Sequence, residues 1–182
     1  MSKVNYIYPV MNTNYIEGCG FLVDNFFITS GHVIKDSENP FIYIMGKRIR
    51  LLHPKFYECD SENVDRFDVA VYELPELETG LELYDGEIKT GQKLESISFK
   101  NLGETLVQCD VTVGDIFEGN YFSGLTSKNL KAGCSGSPVL LGNKVVGIMT
   151  QGNNDNFNNP IDKALPLNFC MFLSTKSIKR FL

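Results

Sequence analysis

Short apolar, β-prone runs that stop at Gly, Asn, Asp or Pro recur along the whole chain, and this punctuation constrains the fold more than any other feature. The runs cover residues 20–23, 26–29, 41–45, 49–52, 67–74, 94–99, 105–113, 139–141 and 145–150, with no repeat, heptad or low-complexity tract among them. Such a pattern reads as all-β. Val23-Asp24-Asn25-Phe26 and Leu141-Gly142-Asn143-Lys144 each place two turn-forming residues between apolar runs, as hairpins do. One helical signal stands out near the C-terminus. Leu173, Ser174 or Thr175 supplies a cap region, and Ile178, Phe181 and Leu182 follow at helical spacing, which predicts a short helix packed on the second half of the fold.

At 182 residues the chain is long enough for one domain or two small, closely packed ones, and it can bury a substantial core. Hydrophobic residues make up 43% and charged residues 21%, a globular balance without a disorder signature. A net charge of −5 excludes a general nucleic-acid footprint. The one basic cluster, Lys47, Arg48 and Arg50, alternates with Ile49 and Leu51 and reads as the solvent face of a strand. The acidic, turn-rich stretch 75–91, with Glu76, Glu78, Glu82, Asp85 and Glu87, reads as a solvated connector between two halves.

Five cysteines, Cys19, Cys59, Cys109, Cys134 and Cys170, form an odd set without the paired short spacing of a zinc site. Residues 1–6 lack the apolar core of a signal peptide, and no later run approaches the length of a membrane span. These features predict a reducing, cytoplasmic setting with no membrane partner.

Three segments carry chemistry. Gly133-Cys134-Ser135-Gly136-Ser137-Pro138 lies downstream of Thr29-Ser30-Gly31-His32-Val33 and of Phe67-Asp68-Val69-Ala70-Val71. A serine hydroxyl is a poor nucleophile at neutral pH; it needs an imidazole to take its proton and a carboxylate to fix that imidazole's tautomer. Gly133 and Gly136 let the chain turn tightly around Ser135 and aim successive N–H groups at one point. His32 stands just past one apolar run and Asp68 at the start of another, 36 residues apart, with Ser135 67 residues further on.

The order His, Asp, Ser with these flanks resembles the chymotrypsin-like serine proteases, in the style of their compact bacterial or viral members. The resemblance implies an all-β fold of two six-stranded-type antiparallel barrels, residues 1–80 carrying His32 and Asp68 and residues 81–182 carrying Ser135 and the substrate pocket. It implies a peptidase working through an acyl-enzyme on a polypeptide substrate, with no metal or organic cofactor, and limited proteolysis of a polyprotein or partner. It assigns the oxyanion hole to the backbone N–H groups of Gly133 and Ser135. By register the substrate pocket falls at Asn129, flanked by Lys128 and Lys131, with Thr150, Gln151 and Gly152 on its wall. A polar, uncharged pocket base follows, with flanking lysines that could favour an acidic residue.

Two alternatives stay open. Cys134 adjoins Ser135 and is a competing nucleophile, although only Ser135 fits the Gly-x-nucleophile-Gly register. The same cleft could also serve a catalytically silent peptide- or protein-binding module. Secreted relatives carry a disulfide beside the histidine; Cys19 is read as its first member and Val33 stands at the second, so the bridge is lost. His53 before Pro54 reads as structural, Asp60 and Asp65 as loop competitors of Asp68, and residues 152–160 as an Asn-rich connecting loop.

Overall fold

The computed structural model describes residues 2–13, 15–35, 37–60, 66–77, 79–99, 106–117, 120–128, 133–152 and 164–182. Strands β1 (Ile7–Asn12), β2 (Tyr15–Val23), β3 (Phe26–Thr29), β4 (Phe41–Ile44), β5 (Lys47–Arg50), β6 (Phe56–Cys59) and β7 (Asp68–Glu73) form one sheet in the order β5-β4-β1-β2-β3-β7-β6. Strands β8 (Glu82–Leu83), β9 (Lys93–Phe99), β10 (Leu106–Ile116), β11 (Tyr121–Thr126), β12 (Pro138–Leu141), β13 (Lys144–Gly152) and β14 (Phe169–Ser174) form the other, in the order β12-β9-β10-β11-β14-β13-β8. A further β12–β13 pairing closes six of these strands into a barrel.

The two-sheet, nearly all-β architecture expected from the sequence is present, and among the described residues one of its two halves closes into a barrel. Hydrogen-bond closure is complete in the second sheet, whereas the first ends at β5 and β6, and its β1 meets β4 at the single pair Met11↔Phe41. Both expected hairpins form. Val23 pairs with Phe26 and Leu141 with Lys144, and Asp24 and Gly142 take the left-handed φ of +52° and +62° that tight two-residue loops require. On β5, Lys47, Arg48 and Arg50 face solvent, as their alternation with Ile49 predicts.

A single apolar cluster joins the two sheets. Phe21, Ile28, Val69 and Val71 of the first pack with Ile97, Leu140, Val145, Ile148 and Leu173 of the second. Each such side chain contributes about 1.5–3 kcal/mol by leaving water, so this shared core is a principal reason that the halves stay together. The short helix α1 (Gly31–Lys35) caps the end of β3, and α2 (Thr175–Ile178) follows β14.

Helix α2 packs on β13, where the Thr175 hydroxyl donates to the Val145 carbonyl at 3.0 Å. The expected packing on the second half is present, and the next turn adds a contact with the first. Phe181 crosses to the first sheet and stacks on Phe56 with ring centroids 3.7 Å apart, edge-on to Phe67 at 5.4 Å.

The acidic connector is also more than a solvated link. Leu81 is buried, and its N–H donates to the Leu22 carbonyl at 2.7 Å; three residues on, the Tyr84 N–H donates to the Val145 carbonyl at 2.9 Å. Asp85 and Glu87 remain in water and meet lysines of the second half, Lys179 and Lys176, while Glu76 lies 3.8 Å from Lys47 of the first. Among the described residues no helix is long and apolar enough to cross a membrane.

Candidate active site

Asp68 opens β7, between β3 and β6, and is fully buried at 0% exposure. A carboxylate in that position needs full hydrogen bonding to offset lost hydration. His32 on α1 supplies two bonds: its N–H donates to Oδ1 at 2.8 Å, and its Nδ1 lies 2.6 Å from Oδ2. The second bond places the imidazole proton on Nδ1 and leaves Nε2 as an acceptor. The His32 side chain is 39% exposed, so that acceptor belongs to a ring open to solvent on one side.

Gly31 makes the approach possible. A Cβ there would lie 2.4 Å from the Glu58 carbonyl and 3.0 Å from Asp68 Oδ1. Tyr121, reaching over from β11, donates its hydroxyl to the Arg66 carbonyl at 2.9 Å, two residues before Asp68. Burial, and then the Asp68 charge, pushes its phenol well above the ordinary value. On β6, Cys59 pairs with Asp68 across the ladder, and its thiol is pushed up by burial and by the same carboxylate.

Ser135 sits in a turn held by main-chain bonds. The Cys19 N–H donates to the Ser135 carbonyl at 2.7 Å, the Gly136 N–H to the Met149 carbonyl at 2.8 Å, and the Met149 N–H to the Ser137 carbonyl at 2.9 Å. Gly133 and Gly136 have φ of +101° and +86°, and a Cβ on Gly136 would lie 1.9 Å from the Cys19 carbonyl oxygen. Only glycine fits that position.

Gly18 brings the two segments together. A Cβ built on it would lie 2.6 Å from a Val33 methyl and 2.7 Å from the Ser135 carbonyl, so the residue after His32 and the backbone of Ser135 flank one glycine of β2. This contact revises the expected geometry of Cys19. Val33 faces Gly18, not Cys19, and neighbouring residues of a strand point to opposite sides. The Cys19 thiol instead donates to the Gly133 carbonyl at 3.4 Å and accepts the Phe99 N–H at 3.3 Å. Burial pushes it up to about 12, which keeps it a donor at ordinary pH.

Cys134 points away from the turn's open side. It is 5% exposed, accepts a hydrogen bond from the Ser98 hydroxyl at 3.3 Å and packs with Leu94, Cys109, Val139 and Phe172. Ser135 beside it is half-buried. All five cysteines are free thiols.

Thr150, Gln151 and Gly152 follow Met149 directly at the end of β13. Thr150 is buried at a bulge, between the pairs Met149↔Phe172 and Gln151↔Met171, and its hydroxyl donates to the Met171 carbonyl at 3.2 Å. Gln151 is half-buried, and Gly152 is buried opposite Cys170. Lys128 is exposed, with its carbonyl accepting the Thr126 hydroxyl at 2.6 Å. Asn129, Lys131, Asp65 and residues 153–160 lie outside the described residues.

His53 is exposed between β5 and β6, and Asp60 is half-buried with its N–H on the Phe67 carbonyl. The sequence reading did not single out Ser30, Met149, Tyr121 or the inward role of Cys19. The small, buried-strand context of residues 29–31 was the available signal for Ser30; the others depend on pairings between distant strands.

No family model matches the sequence, and no curated protein matches it by sequence. Solved structures do match. The Rv3671c protease of M. tuberculosis in its active form aligns with a TM-score of 0.75 at 16% identity, over 99% of this chain and 80% of that one. Neuropsin, a serine protease expressed in the limbic system of mouse brain, aligns with a TM-score of 0.75 at 15% identity, over 97% of this chain and 92% of that one. An inactivated protease paralogue of the scabies mite aligns with a TM-score of 0.70 at 16% identity, over 98% and 92% respectively. The chain has the chymotrypsin-like serine protease fold.

Proposed function

We propose that this chain, built on the chymotrypsin-like protease fold, is a serine endopeptidase that uses Ser135 as nucleophile, His32 as general base and acid, and Asp68 as the orienting carboxylate. The observation that carries this reading is the buried Asp68 carboxylate, bonded to both the N–H and Nδ1 of His32, on a segment whose Val33 shares Gly18 with the Ser135 turn.

In the reaction, Ser135 Oγ attacks the scissile carbonyl carbon while His32 Nε2 takes its proton, and Asp68 stabilises the imidazolium. The N–H groups of Gly133 and Ser135 receive the oxyanion of the tetrahedral intermediate. The intermediate collapses as His32 returns the proton to the leaving amine, leaving an acyl-enzyme. Water, deprotonated by the same imidazole, then releases the acid and restores the Ser135 hydroxyl. Residues 1–80 supply base and carboxylate, and residues 81–182 the nucleophile and the pocket of Asn129, Thr150, Gln151 and Gly152. That pocket is polar and uncharged at its base, and the flanking Lys128 and Lys131 favour an acidic residue. The burial of Cys134 supports Ser135 over the thiol as nucleophile. Five cysteines outside any disulfide favour a reducing, cytoplasmic setting, and limited proteolysis of a polyprotein or partner follows by analogy with the compact bacterial and viral members of the resembled family.

A fluorophosphonate probe tests the reading. Labelling mapped by mass spectrometry to Ser135, lost in His32→Ala, is the expected result; absence of labelling in well-folded protein refutes it. The likeness to an inactivated mite paralogue favours one rival, a silent protease-like binding module. For that rival Ser135→Ala leaves partner binding and cellular effect intact, whereas for the peptidase it ends product formation.

A further inference from the structure

Ser30 lies in the loop between β3 and α1, two residues before His32, and is fully buried at 0% exposure. A hydroxyl in such a place needs a partner, since burying it unbonded forfeits its hydration with nothing in return. Its partner is in the other sheet: Ser30 Oγ donates to the Met149 carbonyl at 2.8 Å. That carbonyl also accepts the Gly136 N–H at 2.8 Å, so both of its lone pairs are used. One strand oxygen therefore receives a donor from the His32 segment and a donor from the residue next to Ser135.

A second bridge runs in parallel. The Thr29 hydroxyl donates to the Cys19 carbonyl at 2.6 Å, and the Cys19 N–H donates to the Ser135 carbonyl at 2.7 Å. Consecutive residues 29 and 30 thus reach consecutive residues 135 and 136 through β2 and β13. The Ser30 arm uses a side chain of one sheet and a carbonyl of the other, and it fixes their separation where the reacting groups meet.

We infer that Ser30 is a positioning residue, whose bond to the Met149 carbonyl sets the spacing of His32 and Ser135. The inference rests on the triad reading above. Proton transfer and attack depend steeply on the approach of the reacting groups, so loosening one of two bridges slows the chemical step. Binding is untouched, because Ser30 is buried away from solvent and substrate.

The test uses the whole chain, the variants Ser30→Ala and Ser30→Cys, and a fluorophosphonate probe under saturating conditions. The cysteine variant is nearly isosteric and keeps a weak donor. For Ser30→Ala the maximal labelling rate at Ser135 falls about tenfold, as expected for one lost hydrogen bond, with the half-saturation concentration unchanged. Ser30→Cys falls between Ser30→Ala and the parent. Amide hydrogen exchange over residues 133–137 rises in Ser30→Ala, and urea midpoints establish that both variants are folded. Labelling of Ser30→Ala at the parental rate, a change confined to half-saturation, or a cysteine variant no better than alanine overturns the inference. If the parent protein itself is not labelled, the hydrolase reading fails separately, and exchange decides: a joint rise over residues 31–35 and 133–137 upholds the coupling, and unchanged exchange overturns it.

Discussion

The His32 side of the candidate site is held by a side chain, the Ser135 side by the main chain. On the first, one buried carboxylate makes both key bonds, to the His32 N–H and to Nδ1. On the second, Cys19, Gly136 and Met149 bind the turn through backbone groups, and Gly133 and Gly136 adopt angles that few other residues tolerate. The difference separates chemistry from folding. A side-chain holder can be replaced by a near-isostere that changes the chemistry and spares the fold; a main-chain holder cannot be altered without deforming the turn.

The largest expected effect removes the proposed nucleophile. Ser135→Ala is expected to cut hydrolysis of any reactive ester or peptide by about 10⁶-fold while leaving the melting temperature within a few degrees. A large loss of stability would break the comparison, since the turn is held without the serine side chain. Next, Asp68→Asn keeps the shape but offers an NH₂ group to Nδ1, so the imidazole is held in the wrong tautomer. Its rate should fall by about 10⁴-fold, measured by probe labelling, with circular dichroism unchanged.

Gly136→Ala probes the opposite side. A Cβ 1.9 Å from the Cys19 oxygen must displace backbone, so stability should drop by about 3 kcal/mol or more in urea unfolding, with activity lost as a consequence. A stable but inactive variant would show that the turn is softer than its bonding implies.

A smaller effect is expected at alkaline pH. Burial raises Cys19 to about 12 and Cys109 to about 11 from an ordinary 9.0. Because the folded values lie above the unfolded one, the stabilisation is complete below about pH 9 and declines as pH rises toward the folded values, where the unfolded chain sheds protons that the folded protein keeps. Urea midpoints should therefore fall steadily above pH 9, and Cys109→Ala should flatten part of that slope. The smallest effect belongs to the exposed Lys179–Asp85 pair, where Lys179→Ala should leave both labelling rate and melting temperature unchanged within error.

The sequence was most readable where local chemistry sufficed. Asp24-Asn25 and Gly142-Asn143 made their hairpins, and the runs around β3, β7, β9 and β13 became strands. Other strands were hidden. Pro9 interrupts β1, Glu58 breaks the apolar run of β6, and Ser123 with Gly124 dilutes β11, so that only pairing with distant neighbours reveals them. Helix α1 is five residues long, too short for a periodic signal. In the site, His32, Asp68 and Ser135 stand on segments that can be read from their flanks, and the structure adds the bonding between His32 and Asp68. Val33 faces Gly18 and not Cys19, the position the resemblance gives to the first member of the lost bridge, because strand facing is set by alternation and a slip of one reverses it.

The apolar cluster shared by the two sheets governs when this cleft can exist during synthesis. His32 and Asp68 leave the ribosome well before Ser135, and the cluster is complete only once Leu173 and Ile178, both fully buried within it, have emerged. Until then the nascent chain carries His32, Asp68 and Ser135 without the core that aligns their segments. For the peptidase proposed above, that lag would keep the growing polypeptide, and its neighbours on the polysome, out of reach of a half-made site.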